Sequence, residues 1–221
     1  MTKKIIEPVL IVLNGDIPLS ILEGSFFQKY SYIIAVDGAL DKLLEKGIMP
    51  HAVTGDFDSV SEVVLKELQF AGGEIIHQAE QNSTDFEKTL NLCKSKGFRQ
   101  ADVIGFSGSR IDHNLSVWDA ALRFSRHIKL KFIDQIAESF IITDAASYNI
   151  DKKSGHICSI IPLLPCNGVS LSGFNWSIDD EEFALGRQIS SSNEILDETA
   201  VVSLESGALL IVLHNEPDKT P

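Results

Sequence analysis

The chain has 221 residues, of which 44% are hydrophobic and 23% charged, the balance of a soluble globular protein with one large domain or two modest ones. Its 19 basic and 31 acidic residues leave a formal net charge of −12, which excludes the basic footprint of a nucleic-acid binder. Three cysteines (Cys93, Cys158 and Cys166) without a C-x-x-C pair exclude a disulfide framework and a zinc ribbon, and fit reduced thiols in the cytoplasm. No apolar run is long enough to span a membrane. Behind Met1-Thr2-Lys3-Lys4, the residues Glu7, Pro8 and Asn14 interrupt any signal-peptide core.

Pro8–Leu13 is a near-continuous apolar run that ends at the turn Asn14-Gly15-Asp16, and it reads as a strand buried on both faces. Ser31–Val36 repeats the pattern and ends at Asp37-Gly38. Leu40, Leu43 and Leu44 then keep helical spacing up to Gly47, with Pro50 just beyond. His51–Thr54 predicts a third strand, leading into Gly55-Asp56-Phe57-Asp58-Ser59. Ser59 and Glu62 form a capping box for a helix that faces inward through Val64, Leu65 and Leu68.

After Gly72-Gly73 comes a short strand, Glu74–His77, and a polar loop from Gln78 to Ser83. Thr84 and Glu87 make a second capping box, with Phe86, Leu90 and Cys93 as the buried stripe of the helix it starts. Ala101–Ile104 is a strand that runs into Gly105-Phe106-Ser107-Gly108-Ser109-Arg110. A helix follows from about Asp112, with Leu115, Trp118 and Leu122 inward, and Ile128–Ile133 is one more strand.

Strands alternating with helices predict a parallel α/β sheet with right-handed crossovers. That topology brings Asp37, Asp56, Asp58, Asp85, Arg110 and Asp112 to one edge of the sheet, where open α/β sheets bind ligands. Asp56, Asp58 and Asp85 are the predicted metal ligands, because Mg²⁺ takes hard carboxylate oxygens together with substrate phosphates. A D-x-D also occurs as ordinary turn decoration, and Arg110 with Asp112 also reads as a local ion pair. On the functional reading, Arg110 contacts phosphates through its planar fork, and the Gly105–Ser109 backbone approaches phosphate beside a helix N-terminus. Asp112 orients or deprotonates an attacking hydroxyl. His113 reads as structural. The absence of a G-x-x-x-x-G-K-[ST] loop excludes a Walker-type kinase.

From about Ala137 helical spacing stops. Short β-rich runs follow at Ser139–Thr143, His156–Ile161, Val169–Leu171, Ala200–Leu204 and Ala208–Leu213, predicting an all-β sandwich or barrel. Turns are expected at Ser154-Gly155, Pro165-Cys166-Asn167-Gly168 and Glu205-Ser206-Gly207. The boundary falls near Gln135–Glu138, giving domains 1–136 and 137–221. Trp176 is either a core residue or a flat surface for stacking on a cationic aromatic ring, and Ser190–Asn193 also reads as a plain polar turn.

In order along the chain stand Asp37-Gly38-Ala39, Gly47-Ile48-Met49-Pro50, Gly55-Asp56-Phe57-Asp58-Ser59, Gln81-Asn82-Ser83-Thr84-Asp85 and Gly108-Ser109-Arg110-Ile111-Asp112-His113. Gly173-Phe174-Asn175-Trp176 and Ser190-Ser191-Ser192-Asn193-Glu194 follow. This ordered set resembles the thiamine pyrophosphokinase family over most of the chain. Departures are Ala39 and Ser109 in place of Gly, Glu80 and Asn82 in place of Asp, and Val117 in place of Asn.

The resemblance implies a Rossmann-like catalytic domain followed by a thiamine-binding β-sandwich. It implies transfer of a pyrophosphoryl group from ATP to the thiamine hydroxyl, giving thiamine diphosphate and AMP with Mg²⁺. Asp56, Asp58, Asp85, Arg110 and Asp112 are then catalytic. Asp37, Thr84, Gly108, Ser109 and Arg110 bind the nucleotide, and Gln81, Asp112, Trp176, Ser190, Ser192 and Asn193 bind thiamine. A homodimer with sites shared between subunits is also implied. The alternatives are a related pyrophosphokinase acting on a pterin-like alcohol, a D-x-D nucleotide-sugar glycosyltransferase, and a non-catalytic nucleotide or thiamine sensor.

Overall fold

The computed structural model describes residues 8–22, 25–57, 62–77 and 82–217. The chain divides into two compact units, Met1–Asp134 and Gln135–Pro221.

The first unit carries six strands: β1 (Val9–Val12), β2 (Ile33–Val36), β3 (Ala52–Gly55), β4 (Glu74–His77), β5 (Gln100–Ile104) and β6 (Lys129–Ile133). They run parallel in the order β4-β3-β2-β1-β5-β6. β1, β2 and β3 are buried at every position, because helices cover both faces of a parallel sheet. Sequence order reverses between β1 and β5, the kind of switch point beside which open α/β sheets bind ligands.

The connections are α1 (Leu19–Leu22) with a 3₁₀ turn at Phe26–Lys29, then α2 (Ala39–Leu44), α3 (Glu62–Phe70), α4 (Asp85–Lys96) and α5 (Ile111–Phe124). α1 and the 3₁₀ turn were not foreseen, being too short to show a period. On one face of the sheet, Leu10, Val12, Ala35 and Val53 meet Leu40 and Leu43 of α2 and Leu68 of α3. An aromatic cluster joins Phe86 of α4, Phe106, Trp118 of α5 and Phe132 of β6.

α4 is bounded as its sequence directs. Thr84 caps it by accepting a hydrogen bond from the Glu87 N–H, and Gly97 ends it in the left-handed region at φ 85°. The Glu87 carboxylate does not close the capping box. It pairs instead with Arg123 of α5. α5 departs further from expectation. Its buried positions are Ala120 and Ala121, while Leu115 is 64% exposed. Two small residues let the helix lie close to its support, and that rotates Leu115 outward.

The second unit is all antiparallel: β7 (Ala137–Thr143), β8 (Ala146–Asp151), β9 (His156–Ser172), β10 (Ile178–Phe183), β11 (Ser190–Glu194), β12 (Thr199–Leu204) and β13 (Ser206–Pro217). β9 corrects the expected turn at Pro165–Gly168. It runs unbroken for 17 residues, because a register shift against β13 absorbs the Pro and Gly. Its first half pairs with β11 and β13, its second with β10 and β12. β8, β10 and β11 escaped the sequence reading because they are polar or acidic, as one-sided antiparallel strands are free to be. Cys158, Ile160, Leu171, Phe183, Val202 and Leu209 form part of a separate core.

One buried polar chain fastens α4 to the sheet. The Thr54 and Thr89 hydroxyls lie 2.8 Å apart, and Thr89 donates to the Asp85 carbonyl at 2.7 Å. Both threonines are fully buried. Thr89→Val keeps the volume and strands the Thr54 hydroxyl, so urea unfolding should show a loss of about 1–3 kcal/mol.

Candidate functional site

The rim of the parallel sheet is built from the loops that follow its strands. After β2, Asp37 takes a left-handed conformation at φ 48°, with its N–H held by the Thr54 carbonyl at 2.9 Å. After β3, Phe57 is also left-handed at φ 61°. Such strain in non-glycine residues costs about 1–3 kcal/mol each and persists only where the surroundings enforce it. Gly55 is required for close approach, since a Cβ there would lie 1.7 Å from Asp37 Oδ1. The Asp37 carboxylate therefore lies directly over the end of β3.

That placement groups Asp37 with Asp85 at the start of α4 and with Asp56. Burial, then the neighbouring Asp85 carboxyl, then the Asp56 charge push the Asp37 pKa up to about 7, against a weaker opposing pull from Lys88. Asp37 Oδ1 is buried without a hydrogen-bond partner. Lys88 Nζ binds Asp85 Oδ1 at 3.1 Å. Among the described residues, no three His, Cys, Asp or Glu side chains stand in finished ligand geometry for a metal ion. A buried, unpartnered carboxylate oxygen beside two more carboxylates nevertheless suits a hard divalent cation. Asp58, Ser59 and Gln81, all singled out in the sequence, lie outside the described residues.

At the switch point the loops after β1 and β5 meet. Gly15 N donates to the Gly105 carbonyl at 2.8 Å, and Asp16 N to the Ser107 carbonyl at 2.7 Å. Lys42 of α2 donates to the Asn14 and Gly15 carbonyls at 2.7 and 2.8 Å. Asn114 of α5 grips Gly108 twice, accepting from its N–H at 3.1 Å and donating to its carbonyl at 3.0 Å. Ser109 has an ordinary negative φ, so a side chain in place of Gly brings no backbone strain there. Arg110 and Asp112 form a two-pronged pair at 3.2 and 2.5 Å, exposed to solvent. The guanidinium holds the Asp112 carboxyl below its usual range. Lys42, Lys88 and Asn114 were missed in the sequence. Only the spacing of Lys88 from Asp85 offered a signal, and an i,i+3 pair is common on any helix.

In the second unit, the motifs around Trp176 and Asn193 come together. Phe174 bridges to Ile195, and Asn175 N donates to the Glu194 carbonyl at 2.8 Å. Asn193 is fully buried. Its amide accepts from Trp176 N at 3.0 Å and donates to the Trp176 carbonyl at 2.9 Å and to Ser190 Oγ at 3.1 Å. Trp176 itself is 60% exposed, so it is no core residue. Ser192 is exposed and left-handed at φ 53°, and its N–H donates to Ser159 Oγ at 2.9 Å.

Two family models match the chain: the catalytic domain of thiamin pyrophosphokinase over residues 24–132, and its vitamin B1 binding domain over residues 147–209. A thiamine pyrophosphokinase of Bacillus subtilis (strain 168) is 26% identical over 191 residues, covering 85% of this chain and 89% of that protein. The crystal structure of a thiamine pyrophosphokinase from Bacillus subtilis superposes with a TM-score of 0.79 at 25% identity, over 95% of this chain and 100% of the other. A thiamin pyrophosphokinase from Candida albicans shares the fold, with a TM-score of 0.81 at 19% identity over 95% of this chain and 89% of the other.

The Asp37 shift has a stability consequence. A folded-state pKa near 7 against an ordinary carboxyl value of 3.8 means that the folded protein holds the extra proton between those limits. Stability in metal-free buffer therefore falls as pH rises from about 4 to about 7. Asp37→Asn should match the parent near pH 4 and exceed it at pH 8, as read by thermal melting in chelator.

Proposed function

The chain belongs to the thiamine pyrophosphokinase family, and from that footing we propose how its residues divide the reaction. The enzyme transfers the pyrophosphoryl group of ATP to the hydroxyl of thiamine, giving thiamine diphosphate and AMP. The observation that carries the residue-level reading is the convergence of Asp37, Asp56 and Asp85, with an orphaned carboxylate oxygen.

In this proposal Asp37, Asp56 and Asp85, joined by Asp58, hold Mg²⁺. The cation neutralises charge on the phosphate oxygens and steadies the leaving group. The chain supplies the rest. Backbone N–H groups from Ser109 to Ile111, at the start of α5, face the polyphosphate, and Asn114 anchors the segment by holding both polar groups of the Gly108 backbone. Thr84 holds the helix that carries Asp85. Gln81 belongs to the thiamine-binding set. Arg110 exchanges its exposed partner Asp112 for phosphate oxygens, and this frees Asp112 to orient the thiamine hydroxyl. The hydroxyl oxygen bonds to the β-phosphorus as its proton passes to the Asp112 carboxylate and on to solvent, the bond from that phosphorus to the α–β bridging oxygen breaks, and AMP leaves with that oxygen.

The second unit is read as a β-sandwich whose two faces share β9, and it binds thiamine. The exposed Trp176 indole stacks on the thiazolium or pyrimidine ring, while Ser190, Ser192 and Asn193 form and brace that surface. Two copies pair, each completing its partner's site. The apolar side chains of Ile111 (73% exposed) and Leu115, next to Arg110 and Asp112, support such a partner. The three buried free thiols suit the cytoplasm. Among the described residues no helix is long and apolar enough to cross a membrane.

Nucleotide products measured with thiamine, ATP and Mg²⁺ should show AMP rising in step with thiamine diphosphate; ADP with thiamine monophosphate would overturn the pyrophosphoryl assignment. Trp176→Ala should raise the thiamine KM by about tenfold or more, the loss of a ~1–2 kcal/mol stacking contact, with the ATP KM unchanged. Asp56→Asn subunits mixed with Trp176→Ala subunits should regain activity if sites are shared. Strictly additive residual rates would refute sharing.

A further inference from the structure

Two successive peptide units of the loop after β1 are held at both of their polar ends. Lys42 Nζ of α2 donates to the Asn14 and Gly15 carbonyls at 2.7 and 2.8 Å. The N–H groups of those same units belong to Gly15 and Asp16, and they donate to the Gly105 and Ser107 carbonyls of the β5 loop at 2.8 and 2.7 Å. A trans peptide unit points its C=O and its N–H in opposite directions, so each unit forms a planar strut from the ammonium to the β5 loop. The Lys42 end has a firm base, because Ala39, Leu40 and Leu43 seat α2 in the core with no exposure at all. The far end lies beside the backbone that Asn114 grips, since a Cβ on Gly108 would stand 3.9 Å from Gly15 Cα.

We propose that Lys42 is a positioning residue for the polyphosphate: through the two peptide units of the β1 loop it sets the β5 loop, and with it the backbone that leads into α5. A lysine on a short surface helix ordinarily leaves its ammonium in water, because ordering its long stem costs rotamer entropy. Lys42 is instead half-buried and ordered by two main-chain acceptors. Hydrogen bonds from a charged donor are stronger than neutral ones, and a carbonyl that accepts one makes the N–H of its own peptide unit a better donor. The ammonium thus tightens both bonds to the β5 loop. Gly15 has no side chain with which to do this, and its close approach forbids one, a Cβ there lying 2.2 Å from the Ser107 carbonyl oxygen. Without the cation, two successive carbonyls would converge on a point with nothing to draw them there. Lys42 touches no reacting atom in this role and acts through where the loop stands.

This inference rests on the reading of the Ser109–Ile111 N–H groups as facing the polyphosphate, and its test begins without substrates. Amide hydrogen exchange is followed residue by residue by NMR in the whole, substrate-free chain. In Lys42→Met the Gly15 and Asp16 amides should exchange about tenfold faster while the β2 and β3 amides keep the parent rates. Lys42→Arg, which keeps charge and donors, should restore the parent behaviour. Lys42→Gln, which keeps an N–H donor without the charge, should give a smaller change at the same two amides. In turnover, Lys42→Met should raise the ATP KM about tenfold with the thiamine KM unchanged. Lys42 and Asn114 secure one junction of loops from different helices, so in the double variant the ATP KM effects of Lys42→Met and Asn114→Ala should fall short of multiplying.

Parent exchange rates at Gly15 and Asp16 in Lys42→Met, or ATP KM effects that simply multiply, would overturn the positioning role. Exchange raised throughout the sheet would mark a folding defect in the methionine variant, and the same two readings on Lys42→Gln then decide. An ATP KM raised by Asn114→Ala but not by Lys42→Met would defeat the role of Lys42 and keep the polyphosphate reading. An ATP KM unchanged in both variants, with faster Gly15 and Asp16 exchange in Lys42→Met, would defeat the polyphosphate reading and this role with it.

Discussion

Electrostatic repulsion among Asp37, Asp56 and Asp85 is the constraint around which the first unit is arranged. Three carboxylates do not gather at one point spontaneously, and the fold enforces their meeting. Asp37 is fixed in a left-handed conformation by its N–H bond to Thr54 and by the missing Cβ at Gly55. Asp85 is fixed because its helix is capped by Thr84, tied by Thr89 to Thr54 of β3, and braced by Glu87 against α5. Each tie is modest alone. Together they hold charge where solvent would disperse it.

The junction of the β1 and β5 loops follows the same economy of backbone contacts. Loops after β1 and β5 meet by main-chain hydrogen bonds, and side chains from flanking helices, Lys42 and Asn114, secure them from either side. The Gly108 backbone is thereby held at both of its polar groups. Gly15 is demanded by this contact, since a Cβ there would come within 2.2 Å of the Ser107 carbonyl oxygen. The second unit uses an analogous device. Asn193 grips both polar groups of the Trp176 backbone, so a largely exposed indole stands on a buried, fully hydrogen-bonded base. In both places an asparagine amide substitutes for a stretch of regular hydrogen-bonded backbone.

The sequence by itself determined the parallel α/β character of the first unit. Strands β1, β2 and β3 are buried on both faces and so read as unbroken apolar runs, and α4 begins and ends at Thr84 and Gly97, where capping chemistry is local. It also placed Asp37 and Asp56 just past strand ends and Asp85 at a helix start, since strand and helix bounds follow from local sequence. Tertiary structure decided what depends on neighbours distant in sequence. It placed Asp37 with the other carboxylates through the empty side of Gly55, left Leu115 outward while Ala120 and Ala121 are buried, and carried β9 through a Pro and Gly that locally signal a turn. It also made Asn193 a buried clamp and left Trp176 exposed. Periodicity and capping act within a few residues of chain, whereas close approach, register shifts and shared hydrogen bonds are decided only when separate segments meet.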